Sequence, residues 1–100
     1  MNDEMLFAKA SEHAESQTGH PFERDVESAE RFSTVQEFGT YNGHAIRIDF
    51  TNSEGQDAYR FNATVYDAET GEAIATGNGA SSWSEAFGIV HWRELGIRWP

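Results

Sequence analysis

A chain of 100 residues has the length of one domain. It has no cysteine, which excludes disulfides and thiolate metal sites, and no apolar run approaches the roughly 20 residues that cross a bilayer. The 17 acids outnumber the seven bases and give a net charge of −10, which disfavours direct nucleic-acid binding and favours a basic protein partner. The same charge is also typical of a surface that only keeps a protein soluble.

The first segment, from Asn2 to about Gln17, has the pattern of an amphipathic helix. Leu6, Ala10 and Ala14 recur at helical spacing and predict the face that packs on the core. The start of the chain lacks the basic stretch of a signal peptide, and we therefore predict a cytoplasmic protein with no membrane partner.

A second helix is predicted between residues 22 and 32. Apolar residues recur there at helical spacing, and Pro21 is in a position that helices favour in their first turn. On a helix, three glutamates would share the opposite face: Glu23, Glu27 and Glu30. We predict this acidic stripe as part of a partner-binding surface.

From about Ser33 the apolar period changes to two, which predicts an antiparallel meander of three or four strands. Asn42-Gly43 is a strong signal for a tight hairpin turn between the first two of them. The predicted strands cover residues 33–40, 44–51, 58–67 and 72–76.

The last helix has a specific start signal. Ser82-Trp83-Ser84-Glu85 fits a capping box, so we expect the helix to begin at Ser82 and to run to about Leu95. Gly96 is then a plausible left-handed stop. Together these elements predict one α+β domain of residues 1–100: a helical acidic part (1–32), a meander (33–76) and a C-terminal helix (82–95) packed on one face of the sheet.

Between Ala58 and Leu95 the chain runs strand, turn, strand, Gly-x-Gly, Ser and a helix that opens with Glu85-Ala86. This order resembles double-stranded RNA-binding domains and antitoxin domains of the HicB type. Lysines mark the start of this helix in the RNA-binding family, and this chain has Trp83, Ser84 and Phe87 there. The resemblance therefore implies a topology and no RNA-binding activity.

The residues that commonly carry catalysis are scattered. The four histidines fall on separate predicted elements, and their spacing matches no metal or acid–base motif: His13, His20, His44 and His91. Ser81 and Ser82 lie in a bend without the Gly-x-Ser-x-Gly pattern of a hydrolase elbow. We predict no catalytic residue, no metal site and no cofactor.

The leading functional hypothesis is a non-enzymatic protein-binding domain. Its acidic surface would occupy the basic site of a nucleic-acid-handling protein, as anti-CRISPR or anti-restriction inhibitors and some antitoxins do, with Trp92 or Trp99 as an exposed anchor. A second hypothesis is a small-molecule or catalytic domain with a pocket between the sheet and the last helix, around His44, Tyr66 and His91. A third is a structural or homo-oligomeric subunit.

Overall fold

The computed structural model describes residues 3–31, 34–53 and 57–100. Its fold is α+β, as predicted, with an N-terminal helix, an antiparallel sheet and two short C-terminal helices. The helices are α1 (Asp3–Thr18), α2 (Trp83–Ile89) and α3 (Arg93–Arg98), and a short 3₁₀ turn (Asp57–Tyr59) precedes the fourth strand. The strands are β1 (Phe22–Arg31), β2 (Thr34–Tyr41), β3 (His44–Asn52), β4 (Phe61–Asp67) and β5 (Ala73–Ala75).

The sheet is a meander of five strands in the order β1-β2-β3-β4-β5, so the prediction of three or four strands is too low. The added strand is β1, and the prediction of a second helix over residues 22–32 is wrong. β1 pairs with β2 from Phe22, opposite Tyr41, to Arg31, opposite Thr34, with an irregularity between Arg24 and Ser28. This pairing supplies backbone hydrogen bonds on both sides of the irregularity, and it outweighs a short helical pattern with few apolar residues.

The turn between β2 and β3 confirms the predicted hairpin. Asn42 and Gly43 have positive φ angles of 48° and 80°, as a type I′ turn requires, and Tyr41 pairs with His44 directly across it. The turn therefore fixes the register in which alternate residues of both strands reach the core.

All three helices pack on one face of the sheet. One hydrophobic cluster joins buried side chains of the helices (Leu6, Phe7, Ala10, Ala14, Phe87 and Leu95) to buried side chains of the sheet (Phe22, Tyr41, Ile46, Ile48, Phe50, Ala63, Val65 and Ala75). The alternating positions of β2, β3 and β4 point to the other side, which we call the open face. Its residues are Thr34, Gln36, Phe38, Thr40, Ala45, Arg47, Asp49, Thr51, Asn62, Thr64 and Tyr66.

The C-terminal segment begins as predicted but does not form one helix to residue 95. Ser82 caps α2, and its hydroxyl accepts a hydrogen bond from the Glu85 N–H at 3.2 Å. The chain then leaves helical geometry at Val90, where ψ is 139°, and resumes as α3, so Gly96 lies within a helix and is not a stop. The break allows Trp92 to enter the core, where its indole N–H donates to the Phe87 carbonyl at 2.7 Å.

Candidate protein-binding surface

The outer surface of the helices is rich in carboxylates. Five described glutamates are exposed there, and we call them the acidic helical layer: Glu4, Glu12 and Glu15 on α1, Glu85 on α2 and Glu94 on α3. Contacts of α1 with both α2 and α3 hold them on one side of the molecule. His13 of α1 forms part of this junction, since its ring lies 5.8 Å from that of Phe87 and 6.2 Å from that of Trp92.

The cations on the same side are already engaged within the chain. The Lys9 ammonium lies 3.4 Å from the Glu12 carboxylate, and the Arg93 guanidinium donates to the Gln17 side chain at 3.0 Å. Only the first of these contacts pairs a cation with a carboxylate of the layer. The negative charge of Glu4, Glu15 and Glu94 therefore faces solvent, where it can attract a cationic partner.

Three further arginines, in β1, β3 and just before β4, are held by acceptors elsewhere in the fold. Arg24 makes a two-pronged contact with Glu37, at 2.8 and 3.3 Å, and Arg47 donates to Asp49 at 3.0 Å. Arg60 donates to the Asn52 side chain at 2.7 Å. These contacts engage the three arginines with partners inside the chain.

Arg98 of α3 is directed at the β4–β5 turn. It donates to Asp67 at 2.8 Å and to Glu72 at 3.3 Å. The hydrogen bond from Arg98 lowers the pKa of the Asp67 carboxyl below its ordinary value of 3.8, against the opposing effect of burial, and the backbone N–H groups of Glu69 and Thr70 lower it further. This cluster fastens α3 to the sheet.

A shallow groove of about 400 Å³ runs beside the acidic helical layer, between α1 and β1. Its apolar residues are Phe7, Ala8 and Phe22, and the polar ones are Glu4, Ser11, Glu12 and Arg24. The Ser11 hydroxyl fixes the start of β1 by accepting from the Phe22 N–H at 2.8 Å. The groove thus combines aromatic rings with two of the carboxylates.

Sequence reasoning missed this groove because it treated α1 as a narrow stripe of three apolar residues. Phe7 is also buried, at 4% exposure, and it follows Leu6 directly. Two adjacent large apolar residues in a helix indicate a wider contact face, and this signal was present in the sequence.

The predicted acidic stripe does not exist as a helix face, because its residues lie in β1. Glu23 is exposed, and its carboxylate lies 3.4 Å from the Thr40 hydroxyl. The side chains of Glu27 and Glu30 lie outside the described part of the chain. Positions that align at helical spacing do not align in a strand, whose side chains alternate between faces.

The two predicted tryptophan anchors have different surroundings. Trp92 is 2% exposed and is part of the core, so it is not a surface anchor. Trp99 is partly buried and stacks on His44, with ring centroids 4.6 Å apart and an angle of 6° between the planes. Its ring also lies 6.1 Å from that of Tyr41, so it closes one end of the core.

The structure does not bring the residues of the predicted pocket together. Tyr66 lies on the open face, where the Arg47 guanidinium is 4.1 Å from the centre of its ring. His44 is exposed beside the β2–β3 hairpin, on the other face. His91 is exposed between α2 and α3, and its backbone N–H donates to the Thr76 carbonyl at 3.1 Å.

Among the described residues, no group of three or more His, Cys, Asp or Glu side chains is placed to hold a metal ion. In the same part of the chain, no helix has the length and apolar character needed to span a membrane. The chain matches no protein-family model, no curated protein and no solved structure.

Proposed function

We propose that this chain is a non-enzymatic protein-binding domain whose acidic helical layer occupies the basic site of a nucleic-acid-handling protein. In this respect it would act as anti-CRISPR or anti-restriction inhibitors and some antitoxins do. The proposal is supported chiefly by the surplus of exposed carboxylates on one side of the fold, where Lys9 and Arg93 are both engaged within the chain.

The groove between α1 and β1 gives this surface a point of attachment. A lysine or arginine side chain of the partner would lay its aliphatic stem against Ala8 and the accessible edges of the Phe7 and Phe22 rings. Its charge would point to Glu4 or Glu12 on α1, away from Arg24 on β1. Such a contact combines apolar burial with ion pairing, and it favours a protein cation over a free metal ion or a small anion.

Charge of this kind acts mainly on the rate of association. Opposite charges steer two proteins together, and salt screens the attraction over roughly 8 Å at physiological ionic strength. We therefore expect binding to weaken as salt increases and nucleic acid to compete for the same site on the partner.

The test is capture from host lysate on the immobilised chain, followed by elution with double-stranded DNA or single-stranded RNA at constant salt. The proposal predicts that the captured proteins bind nucleic acid and that at least one of these polymers releases them. Elution by an uncharged polymer of similar length is the control for non-specific displacement. Retention of every captured protein at excess nucleic acid would contradict the proposal.

A further inference from the structure

The open face differs in charge from the rest of the molecule. The open-face positions of β2, β3 and β4 carry two charged side chains, Arg47 and Asp49, which neutralise each other at 3.0 Å. The whole chain has a net charge of −10, so two copies repel each other over most of their surface. Glu23 of β1 borders this face next to Thr40, so the part formed by β2, β3 and β4 is where a second copy can approach with least repulsion.

The side chains of the open face are arranged in rows across the sheet. Phe38, Arg47 and Tyr66 are paired in register on β2, β3 and β4, and the guanidinium lies over the tyrosine ring. The neighbouring row lies two residues away along each strand and consists of Gln36, Asp49 and Thr64. An aromatic row with a central cation therefore lies beside a polar row with a central anion.

We infer that the open face is the interface of a homodimer in which two sheets stack face to face. A two-fold axis in the interface, at right angles to the strands, places Arg47 of one copy over Asp49 of the other, and the reverse contact follows by symmetry. The same axis places the Phe38 and Tyr66 rings over Gln36 and Thr64 of the other copy. An axis parallel to the strands would instead oppose arginine to arginine, so the charges select the first arrangement.

The size of the face limits the strength of the dimer. The three strands β2, β3 and β4, about 4.8 Å apart and with about eight residues at roughly 3.3 Å each, cover about 380 Å² on each copy. The total of about 760 Å² is below that of standard protein interfaces, so we expect a weak dimer whose specificity comes from the paired charges. Stacked sheets pack about 10 Å apart, and the acidic helical layers then lie on the two outer sides of the dimer.

The inference is tested by sedimentation velocity of the full chain at about 0.15 M salt, where screening extends over roughly 8 Å. We expect a weak dimer that is populated at about 100 µM, as a small interface implies. Arg47→Glu and Asp49→Arg should each raise the dimer Kd by at least about 100-fold, because like charges then face each other across the axis. An equimolar mixture of the two variants should form heterodimers, since each supplies the charge that the other lacks.

Arg93→Glu is the matched control, because it makes the same charge change as Arg47→Glu on the helical side and should leave the dimer intact. Circular dichroism of each variant establishes that it is folded. Formation of the heterodimer is an independent check that both variants keep the folded interface. A wild-type chain that stays monomeric to about 1 mM, well above the concentration expected for a small interface, would overturn the inference. So would a dimer that resists Arg47→Glu, or two variants that fail to associate when mixed.

Discussion

Glu37 is a fully buried carboxylate, at 0% exposure, and Arg24 holds it with two hydrogen bonds. The pair ties β1 to β2 next to the point where their register becomes irregular. A buried charge that loses its partner is costly, whereas replacement of both charges by apolar groups is often neutral. The pair therefore explains how a strand with few apolar residues is held in the sheet.

We expect Arg24→Met to lower the free energy of unfolding by about 3 kcal/mol, the lower end of the usual range, because the arginine is partly exposed. The double substitution Arg24→Met with Glu37→Leu should recover most of this loss, since no unpaired charge remains. Urea unfolding of the single and double variants measures both values. A double variant as unstable as the single one would show that the pair is not the cause.

Asp67 contributes to stability in a pH-dependent way. Its pKa is lowered in the folded state, first by the hydrogen bond from Arg98 and then by the N–H groups of Glu69 and Thr70, while burial opposes the shift. A lowered folded pKa gives a contribution that is present above the unfolded pKa and is lost as pH falls through the folded value.

Asp67→Asn should therefore destabilise the chain at pH 7, and its difference from wild type should shrink as pH falls below about 4. Urea unfolding at pH 7, 5, 4 and 3 measures this convergence. Glu69→Gln, at an exposed position of the same turn, is the control for the loss of one carboxylate charge, and the convergence of Asp67→Asn is compared with it. A constant difference between Asp67→Asn and wild type at every pH would contradict the assignment.

Among the elements, α2 depends on two separate contributions, its cap and its contact with the core. Ser82 supplies the cap, while the Glu85 carboxylate lies 3.4 Å from the Ser81 hydroxyl, in place of the reciprocal contact that a capping box would make. Phe87 is 1% exposed, and its ring lies 6.1 Å from that of Phe50 on β3.

Ser82→Ala should cost about 1 kcal/mol of unfolding free energy because one N–H of the first turn loses its acceptor. Phe87→Ala should cost about 3 to 5 kcal/mol because it opens a cavity between α2 and the sheet. Urea titration of the two variants gives the ranking. A greater loss for Ser82→Ala, or a Phe87→Ala variant near wild type, would mean that α2 does not pack on the sheet as described.

The elements that sequence could predict are those whose signals are local. The period of two over β3 and β4, the Asn42-Gly43 turn and the cap at Ser82 each depend on a few neighbouring residues, and the structure confirms them. β1 could not be predicted in this way, because its partner β2 supplies the backbone hydrogen bonds and Arg24 reaches an acid 13 positions away.

The same limit applies to the candidate surface. The acidic stripe depends on helical spacing, so its prediction is wrong because the segment forms β1. The acidic helical layer depends on the packing of α1 against α2 and α3, which no local signal predicts. The break at Val90 that buries Trp92 follows Gly88, a weak helix former in the last turn of α2, and no proline marks it. It follows from the gain of burying a large ring whose N–H finds an acceptor.

At the scale of the whole molecule, the two sides of the sheet have different characters. The helices present exposed carboxylates, whereas the open face presents aromatic rings and one internal ion pair. This division separates a surface for a basic partner from a surface for a second copy. Each can therefore be altered without changing the other.

The central claim is that the acidic helical layer is where the basic partner binds. The most direct measurement is the association rate with the captured partner at several salt concentrations, for two variants with the same net charge. One reverses Glu4, Glu15 and Glu94 to Lys on the helices, and the other reverses Glu23, Glu27 and Glu30 to Lys in β1.

We predict that the helical variant associates at least about tenfold more slowly than wild type at low salt and loses most of its salt dependence. The β1 variant should show a smaller effect, because its total charge is the same but the helical surface is intact. Equal slowing of the two variants would show that net charge alone governs binding. An unchanged rate for the helical variant, or a larger effect of the β1 variant, would contradict the account.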